Sequence, residues 1–389
     1  MNTEWIIVLI LLLPLAAVSG WFAANSSKKN LKRRNLPPEY FKGLNYVLNE
    51  QPDKAIEIFV KMLEVDSETV DTHLTLGSLF RRRGEVDRAI RIHQNLIARP
   101  TMGSEFRSQA VLELGLDYMK LGILDRAEAL FTELVADDNF SFQTYSNLLD
   151  IYQQEHEWVK AIATIKKLES ISAAKMHPVS AQFYCELAGM ELTSKNEKEA
   201  KQHLKRALNL DPKCVRASLM EADLAMKAND YQTALKAYRR IEKQDPEYLS
   251  EVINHVRHCY QALNQQDKFR EYLAEIVENH RGISPLLYMT DVIAESEGDN
   301  AAVRFLAEEL HKRPSVRGVN HLVKYVINMT EGELRKNMST IMELTTRLMD
   351  ESLVYKCRNC GFAAKYLHWQ CPGCKNWNSV KPIHGVHGE

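Results

Sequence analysis

Residues 74–97 read LTLGSLFRRRGEVDRAIRIHQNLI, and residues 112–134 read LELGLDYMKLGILDRAEALFTEL. Each stretch places a glycine (Gly77, Gly115), then an aromatic (Phe80, Tyr118), then an alanine (Ala89, Ala127), at the same offsets. Setting the small residue of each candidate second helix in register extends the pattern to a column: Ala55, Ala89, Ala127, Ala161, Ala200, Ala234, Phe269 and Ala302. Successive spacings are 34, 38, 34, 39, 34, 35 and 33 residues. Twelve positions before each lies Gly43, Gly77, Gly115, Leu149, Ala188, Ala222, Arg257 or Thr290, and three after that recur Tyr46, Phe80, Tyr118, Tyr152 and Tyr260. Pro212, Pro246 and Pro314 close three of the units. Two helices of a hairpin approach closely only where side chains are small, the aromatic fills the neighbouring layer, and proline ends the second helix.

This pattern resembles the tetratricopeptide repeat, about 34 residues forming two antiparallel helices. About eight such units are expected over residues 37–316, with loop insertions near 99–105 and 170–178 where the spacing lengthens. A solenoid of this kind grips peptides on a face lined by its first helices. Candidate partner-binding residues on that face are Arg81, Arg82, Leu116, Met119, Lys120, Asp223 and Met226. The run Arg81–Arg83 reads either as a contact for an acidic partner or as a solvated helix end.

Residues 5–24, WIIVLILLLPLAAVSGWFAA, carry no charge and match the roughly 30 Å apolar core of a bilayer as a helix. Trp5 and Trp21 sit near the two ends, and Pro14 is tolerated in a spanning helix. Lys28, Lys29, Lys32, Arg33 and Arg34 follow, whereas only Glu4 precedes. Positive flanks stay inside, so a single-pass anchor over 1–27 is expected, with its N-terminus outside and the rest cytoplasmic beyond a basic linker at 28–36. A cleaved signal peptide would carry its positive charge ahead of the apolar stretch.

Residues 353–377 read LVYKCRNCGFAAKYLHWQCPGCKNW. Two C-x-x-C pairs, Cys357/Cys360 and Cys371/Cys374, have the spacing to wrap a tetrahedral ion. A redox dithiol needs one pair. Iron and zinc both suit four thiolates. Tyr355, Phe362, Tyr366, Trp369 and Trp377 are expected to form a miniature core for a knuckle over 353–378, followed by a flexible tail at 379–389. Between solenoid and knuckle (317–352), Thr330 and Glu333 suggest a capping box, and Leu334, Met338, Ile341 and Leu348 an apolar face that caps the last repeat as core.

The composition is that of an ordinary folded chain: 389 residues, 45% hydrophobic, 26% charged, formal charge -1. Near-neutral charge argues against nucleic acid as a partner. The scattered Cys185, Cys214 and Cys259 fit a reducing compartment as small buried apolar residues. No nucleophile elbow, phosphate loop or H-E-x-x-H is present, so an enzyme is not expected.

The expected fold is thus an all-α superhelical tetratricopeptide-repeat solenoid, preceded by one transmembrane helix and followed by a small metal knuckle. The C-x-x-C-G-F and C-P-G-C elements resemble rubredoxin and zinc-ribbon folds, although rubredoxins have a longer stretch between the pairs and a glycine where Lys375 stands. The order anchor, repeats, knuckle resembles the lipopolysaccharide assembly protein B family of Gram-negative bacteria. That resemblance implies an inner-membrane adaptor limiting lipopolysaccharide synthesis. Its implied partners are a membrane-anchored ATP-dependent metalloprotease, the lipid A pathway deacetylase it degrades, and lipopolysaccharide assembly and transport proteins; the sequence leaves open whether the solenoid forms a homodimer. The resemblance makes Cys357, Cys360, Cys371 and Cys374 the metal ligands and leans to iron. Competing readings are a general membrane-tethered scaffold and a rubredoxin-like electron-transfer protein.

Overall fold

The computed structural model describes residues 38–49, 51, 54–55, 58, 70–99, 103–135, 141–386 and 388–389. Among these no helix is long and apolar enough to cross a membrane. The anchor expected over residues 5–24, including Trp5, Pro14 and Trp21, and its basic flank at 28–34 lie outside the described residues. The chain divides into two compact units, one up to Ile151 and one from Tyr152.

The first unit holds α1 (Pro38–Leu48), α2 (Val70–Arg83), α3 (Val86–Ile97), α4 (Ser104–Leu121) and α5 (Leu124–Leu134). Helix α6 (Ser141–Gln154) crosses the boundary. The second unit continues with α7 (Trp158–Ile171), α8 (His177–Thr193), α9 (Glu197–Leu210), α10 (Val215–Lys227) and α11 (Tyr231–Gln244). A single 3-10 turn, Pro246–Tyr248, leads into α12 (Leu249–Ala262), α13 (Gln266–Asn279), α14 (Ile283–Glu297) and α15 (Asp299–Lys312). Helices α16 (Val316–Met329) and α17 (Gly332–Glu351) follow, then strands β1 (Tyr355–Cys357), β2 (Ala363–Ala364) and β3 (Val380–Pro382). The long spacings in the repeat fall, as expected, on the connections α3–α4 and α7–α8.

The small-residue columns are the helix crossings. Ala55, Ala89, Ala127, Ala161, Ala200, Ala234 and Ala302 are fully buried. A Cβ at Gly77 would lie 2.3 Å from the His93 ring, and one at Gly115 2.4 Å from Phe131. Gly115→Ala is therefore expected to destabilise the protein by about 1–3 kcal/mol through overpacking. This holds although alanine is about 1 kcal/mol better than glycine in a helix. Gly189, inside α8, has its nearest such neighbour at 4.0 Å, so Gly189→Ala is expected to gain stability. Denaturant titration of the pair reads the sign of each, and a stabilising Gly115→Ala would refute the close-crossing account.

The hairpins share a second feature that sequence reading missed. Seven positions after the first-helix column of Gly77, Gly115, Leu149, Ala188, Ala222 and Arg257, the residues Gly84, Gly122, His156, Lys195, Asn229 and Asn264 all have positive φ. Each ends a first helix in the left-handed conformation, and the following N–H bonds back to the carbonyl of the aromatic column, as in Glu85 N–H to Phe80 O at 2.9 Å and Gln265 N–H to Tyr260 O at 2.9 Å. Only two of the six are glycines, so a search for glycine at helix ends does not find the column.

In the first unit the candidate residue Arg81 is engaged within the fold. It turns inward to Asp117 Oδ1 (2.8 Å) and Glu113 Oε2 (2.6 Å), while His93 Nδ1 meets Asp117 Oδ2 at 2.5 Å. Burial works against its charge, but the bonds to Asp117 and Glu113 outweigh that and raise its pKa. Arg81 thereby ties α2 to α4. Arg82 and Lys120 are exposed, and Leu116 and Met119 are half-buried.

Two further expectations fail at the end of the repeats. Thr330 does not open a capping box: the residue before α17 is Glu331, without a side-chain cap, and the Thr330 hydroxyl donates to Val326 O at 2.9 Å. The face carrying Leu334, Ile341 and Leu348 is not core either; these side chains are 52%, 39% and 61% exposed. Helix α17 docks on α16 by its other face instead. Asn320 Nδ2 donates to Thr345 Oγ1 (2.8 Å), Thr346 Oγ1 (3.0 Å) and Met342 O (3.2 Å). The threonine hydroxyls meet the half-buried Asn320 amide there, which leucines cannot do.

Candidate metal centre

Strand β1 is central, paired antiparallel with β2 (Lys356 opposite Ala363) and β3 (Cys357 opposite Val380). The tail expected to be flexible beyond residue 378 thus supplies the third strand. It continues to Val386 O, which accepts from Val316 N–H at 2.9 Å, and to Glu389, whose buried carboxylate accepts from Ser284 N–H (3.1 Å) and Oγ (2.7 Å). His387 lies outside the described residues.

Each C-x-x-C pair sits on a tight turn. In the first, Cys357 N–H donates to Phe362 O (2.7 Å) and Gly361 N–H to Cys357 O (3.0 Å). In the second, Cys371 N–H donates to Asn376 O (2.9 Å) and Lys375 N–H to Cys371 O (2.8 Å). Gly361 has φ +79° and Lys375 φ +60°. The lysine therefore occupies a left-handed position equivalent to that of Gly361, at roughly 1–2 kcal/mol. Lys375→Gly is expected to raise the denaturation midpoint of the knuckle by a free energy of about 1 kcal/mol. Trp377 fluorescence during denaturant titration checks it; an unchanged midpoint would mean the turn carries no strain.

The four Sγ atoms lie within 4.8 Å of one another, with Cys357–Cys374 at 3.7 Å and Cys360–Cys371 at 3.6 Å. A regular tetrahedron with metal–sulfur bonds of ~2.3 Å has an edge of ~3.8 Å, so the thiols fit one ion. The Ser379 hydroxyl, with backbone N–H groups of Cys360 and Asn359, draws the Cys357 thiol down to about 6. The Asn359 side chain and the Asn376 N–H lower Cys374. These two shifts favour the thiolate that a metal requires, whereas at Cys360 the Phe362 N–H is outweighed by burial and the neighbouring cysteine sulfurs, which push the thiol up to about 12. Four protein sulfurs complete a tetrahedron and leave no position for water or substrate, so the site is a closed one. Among the described residues no other group of His, Cys, Asp or Glu is placed to hold an ion. His255 stacks on Tyr238 and His258 lies edge-on to Tyr231.

The aromatics divide their work. Tyr355 and Phe362 join the cysteines in the knuckle's own small core. Tyr366 is 78% exposed. Trp369 and Trp377, expected inside the knuckle, reach the helices instead. Trp377 packs edge-on against Trp158 and Phe183 at 6.1 and 5.8 Å, and its Nε1 donates to Gln153 Oε1 at 2.9 Å. Trp369 stacks on Tyr248 at 5.5 Å, and the Arg216 guanidinium lies over the Trp369 ring, 5.9 Å from its centroid. The Tyr248 hydroxyl donates to Asn378 Oδ1 and Val380 O, and Tyr355 OH to Glu251 Oε1. Arg358 pairs with Glu247 at 2.7 Å, and Lys381 pairs with Asp245.

Phe183, Arg216 and Glu251 belong to first helices of successive hairpins. In the second unit, part of the face expected to hold a partner is therefore taken by the protein's own knuckle. Of the candidate residues there, Asp223 is exposed and accepts from Tyr238 OH at 2.7 Å. Met226 is half-buried against Cys259 Sγ at 3.3 Å and packs with the core. Cys185, Cys214 and Cys259 are fully buried, as expected of cysteines that serve as small apolar residues.

Residues 355–382 match the family described as the rubredoxin metal binding domain, and residues 72–104 and 191–254 match tetratricopeptide repeats. Lipopolysaccharide assembly protein B of Escherichia coli (strain K12) is 36% identical over 385 residues, 98% of this chain and 99% of that protein. The chain belongs to the lipopolysaccharide assembly protein B family. The family's Haemophilus influenzae member is likewise 36% identical, over 97% of this chain and 98% of its own length. Among solved structures, MamA is similar at 23% identity over 44% of this chain and 95% of its own, with a TM-score of 0.33. Within the lipopolysaccharide assembly protein B family, then, the knuckle is a rubredoxin-like module in which Cys357, Cys360, Cys371 and Cys374 stand close enough together to hold one ion.

Proposed function

We propose that this chain is a non-enzymatic adaptor of the inner membrane that regulates lipopolysaccharide assembly. It presents the lipid A pathway deacetylase to a membrane-anchored ATP-dependent metalloprotease and couples to lipopolysaccharide assembly proteins. The observation that carries this reading is the closed tetrathiolate knuckle laid across the first helices of a repeat array. A metal with all four positions filled by protein sulfur braces a scaffold and turns over no substrate. The family to which the chain belongs is named for lipopolysaccharide assembly, which supports the pathway.

The anchor at residues 1–27 would place the scaffold beside a membrane protease, raising the effective concentration of a bound client. The exposed Arg82, Lys120 and Asp223, with the half-buried Leu116 and Met119, are the proposed client contacts. The ion we infer is iron, following the rubredoxin likeness; metal analysis and visible absorbance of the isolated protein decide between iron and zinc. To test the adaptor role, residues 1–27 are deleted from the chromosomal copy and the deacetylase is followed by immunoblot after translation is blocked. A long-lived deacetylase beside an abundant, folded body supports the reading. An unchanged lifetime overturns it in favour of a general scaffold.

A further inference from the structure

Five and six positions after the small residue of the second helix, three successive hairpins carry a basic pair. Lys166 and Lys167 follow Ala161, Lys205 and Arg206 follow Ala200, and Arg239 and Arg240 follow Ala234. At the same offsets the next two hairpins carry Ala274 with Glu275 and Ala307 with Glu308. Equivalent positions of stacked hairpins fall in one row, so the pairs form a ladder of three rungs across α7, α9 and α11 of the second unit. Five of the six side chains are exposed, and Arg240 is half-buried.

Most of the ladder is not used by the fold. Arg240 pairs with Glu221 and bonds Ser218 Oγ at 2.9 Å, and Arg239 lies over the Tyr272 ring at 4.7 Å. Lys166, Lys167, Lys205 and Arg206 make no ion pair among the described residues. Between the rungs lie two hollows, each walled by a cation from both sides. One, of about 280 Å³, is lined by Lys166 and Arg206; the other, of about 600 Å³, by Lys205 and Arg240.

The surroundings have the same sign. Helices α7, α9 and α11 together hold eleven Lys and Arg against four acidic residues, of which only Glu197 is exposed. The next second helices, α13 and α15, hold four basic and seven acidic residues. In a chain of formal charge -1, the positive charge of the second unit's outer row is thus confined to one stretch of three helices.

Three features point to the occupant. Eight of the eleven cations are lysines, compact hydrated charges without the planar fork that matches a single carboxylate, and so suited to a diffuse layer of anions. The field is wide: each helix has fourteen residues and is ~21 Å long, and cations continue past the rungs to Lys198 and Lys243, beyond the reach of one extended peptide. Finally, the proposed anchor holds the body beside a leaflet whose anionic headgroups attract basic segments.

We infer that the second-helix row of α7, α9 and α11 is a docking surface for anionic phospholipid headgroups of the membrane that carries the anchor. The inference rests on the membrane-anchored placement under Proposed function. The knuckle occupies first helices of the same unit, so docking by the second-helix row leaves the knuckle on the side away from the lipid.

The full-length chain is reconstituted in nanodiscs of phosphatidylcholine alone or with about one-third phosphatidylglycerol. Its lysines are labelled with a water-soluble acylating reagent and read by peptide mass spectrometry. Lys166, Lys167 and Lys205 are expected to react at least about threefold more slowly in the anionic discs at ~0.05 M salt. At ~0.5 M, where exposed charges are screened, they are expected to react equally in both. Lys268, Lys312 and Lys356, on α13, α15 and the knuckle, serve as controls and are expected to react alike throughout. Lys167→Glu with Lys205→Glu is expected to abolish the protection of Lys166; both positions are exposed, so helical signal stays at the parent value. Elution of the chain with the discs reads the anchor separately. A chain that does not enter discs overturns the anchor, and its flotation with vesicles of the same two compositions then tests the ladder alone. Equal labelling of the ladder in both discs, or equal flotation with both vesicles, overturns the inference. Protection found in native membrane vesicles but not in anionic discs also overturns it and assigns the ladder to an acidic protein.

Discussion

Cys371→Ser is expected to empty the metal site and unfold the knuckle while the helices stay folded. Cys371 is fully buried, and its sulfur lies 3.6 Å from that of Cys360. A three-stranded sheet with strands of two or three residues buries too little surface to hold itself together. Structural zinc in comparable peptides contributes an apparent 10–16 kcal/mol, all of which is folding energy. Metal analysis is expected to fall from one ion per chain to none. Trypsin cleavage at Lys356, Arg358 and Lys365 is expected to rise on the order of tenfold or more, because proteolysis follows local opening. Far-UV helical signal should be retained, since the hairpins hold their own buried alanine crossings. A Cys371→Ser protein that keeps a full metal complement would defeat this account of the site.

Tyr248→Ala is the second large effect. Tyr248 is fully buried, stacks on Trp369, lies under the Lys381 ammonium at 4.2 Å, and donates its hydroxyl toward Asn378 and Val380. Burial, with Asp245, Glu247 and Glu251 nearby, pushes its pKa well up, so the hydroxyl remains a donor throughout the ordinary pH range. Removing a large buried ring costs about 3–5 kcal/mol. Tyr248→Phe keeps the ring and loses only the hydroxyl bonds, which is worth about 1 kcal/mol. Denaturant titration measures both, and hydrogen exchange across β1 and β3 shows whether the knuckle loosens. If the phenylalanine variant costs as much as the alanine variant, the polar bonds rather than the packing hold the knuckle to the helices.

The repeat was readable because its determinants are local and periodic. Ala89 and Gly77 sit where two backbones meet, and the same geometry recurs in neighbouring units. The exceptions have individual causes. Arg257 stands in the small-residue column yet reaches out to Asp291 and Glu295 and lies over Tyr288. The metal ligands were readable because thiol spacing fixes tetrahedral chemistry. What sequence concealed was docking. Trp377 meets Trp158 and Phe183 across about two hundred residues of chain, and no periodicity encodes that. Nor does sequence say which apolar face of α17 turns inward. Leu334, Ile341 and Leu348 form an apolar stripe, but the half-buried amide of Asn320 bonds the face bearing Thr345 and Thr346.

A stack of hairpins behaves as a spring, because each hairpin touches only its neighbours and small angular changes accumulate along it. The knuckle departs from that rule. From one rigid body it engages Gln153, Phe183, Arg216 and Glu251, residues spread over successive hairpins of the second unit. It is a strut laid along the coil. Flexing that part of the coil requires several of these contacts to break together, so the stiffness of a long helical segment is set by four sulfur atoms at one end of its strut.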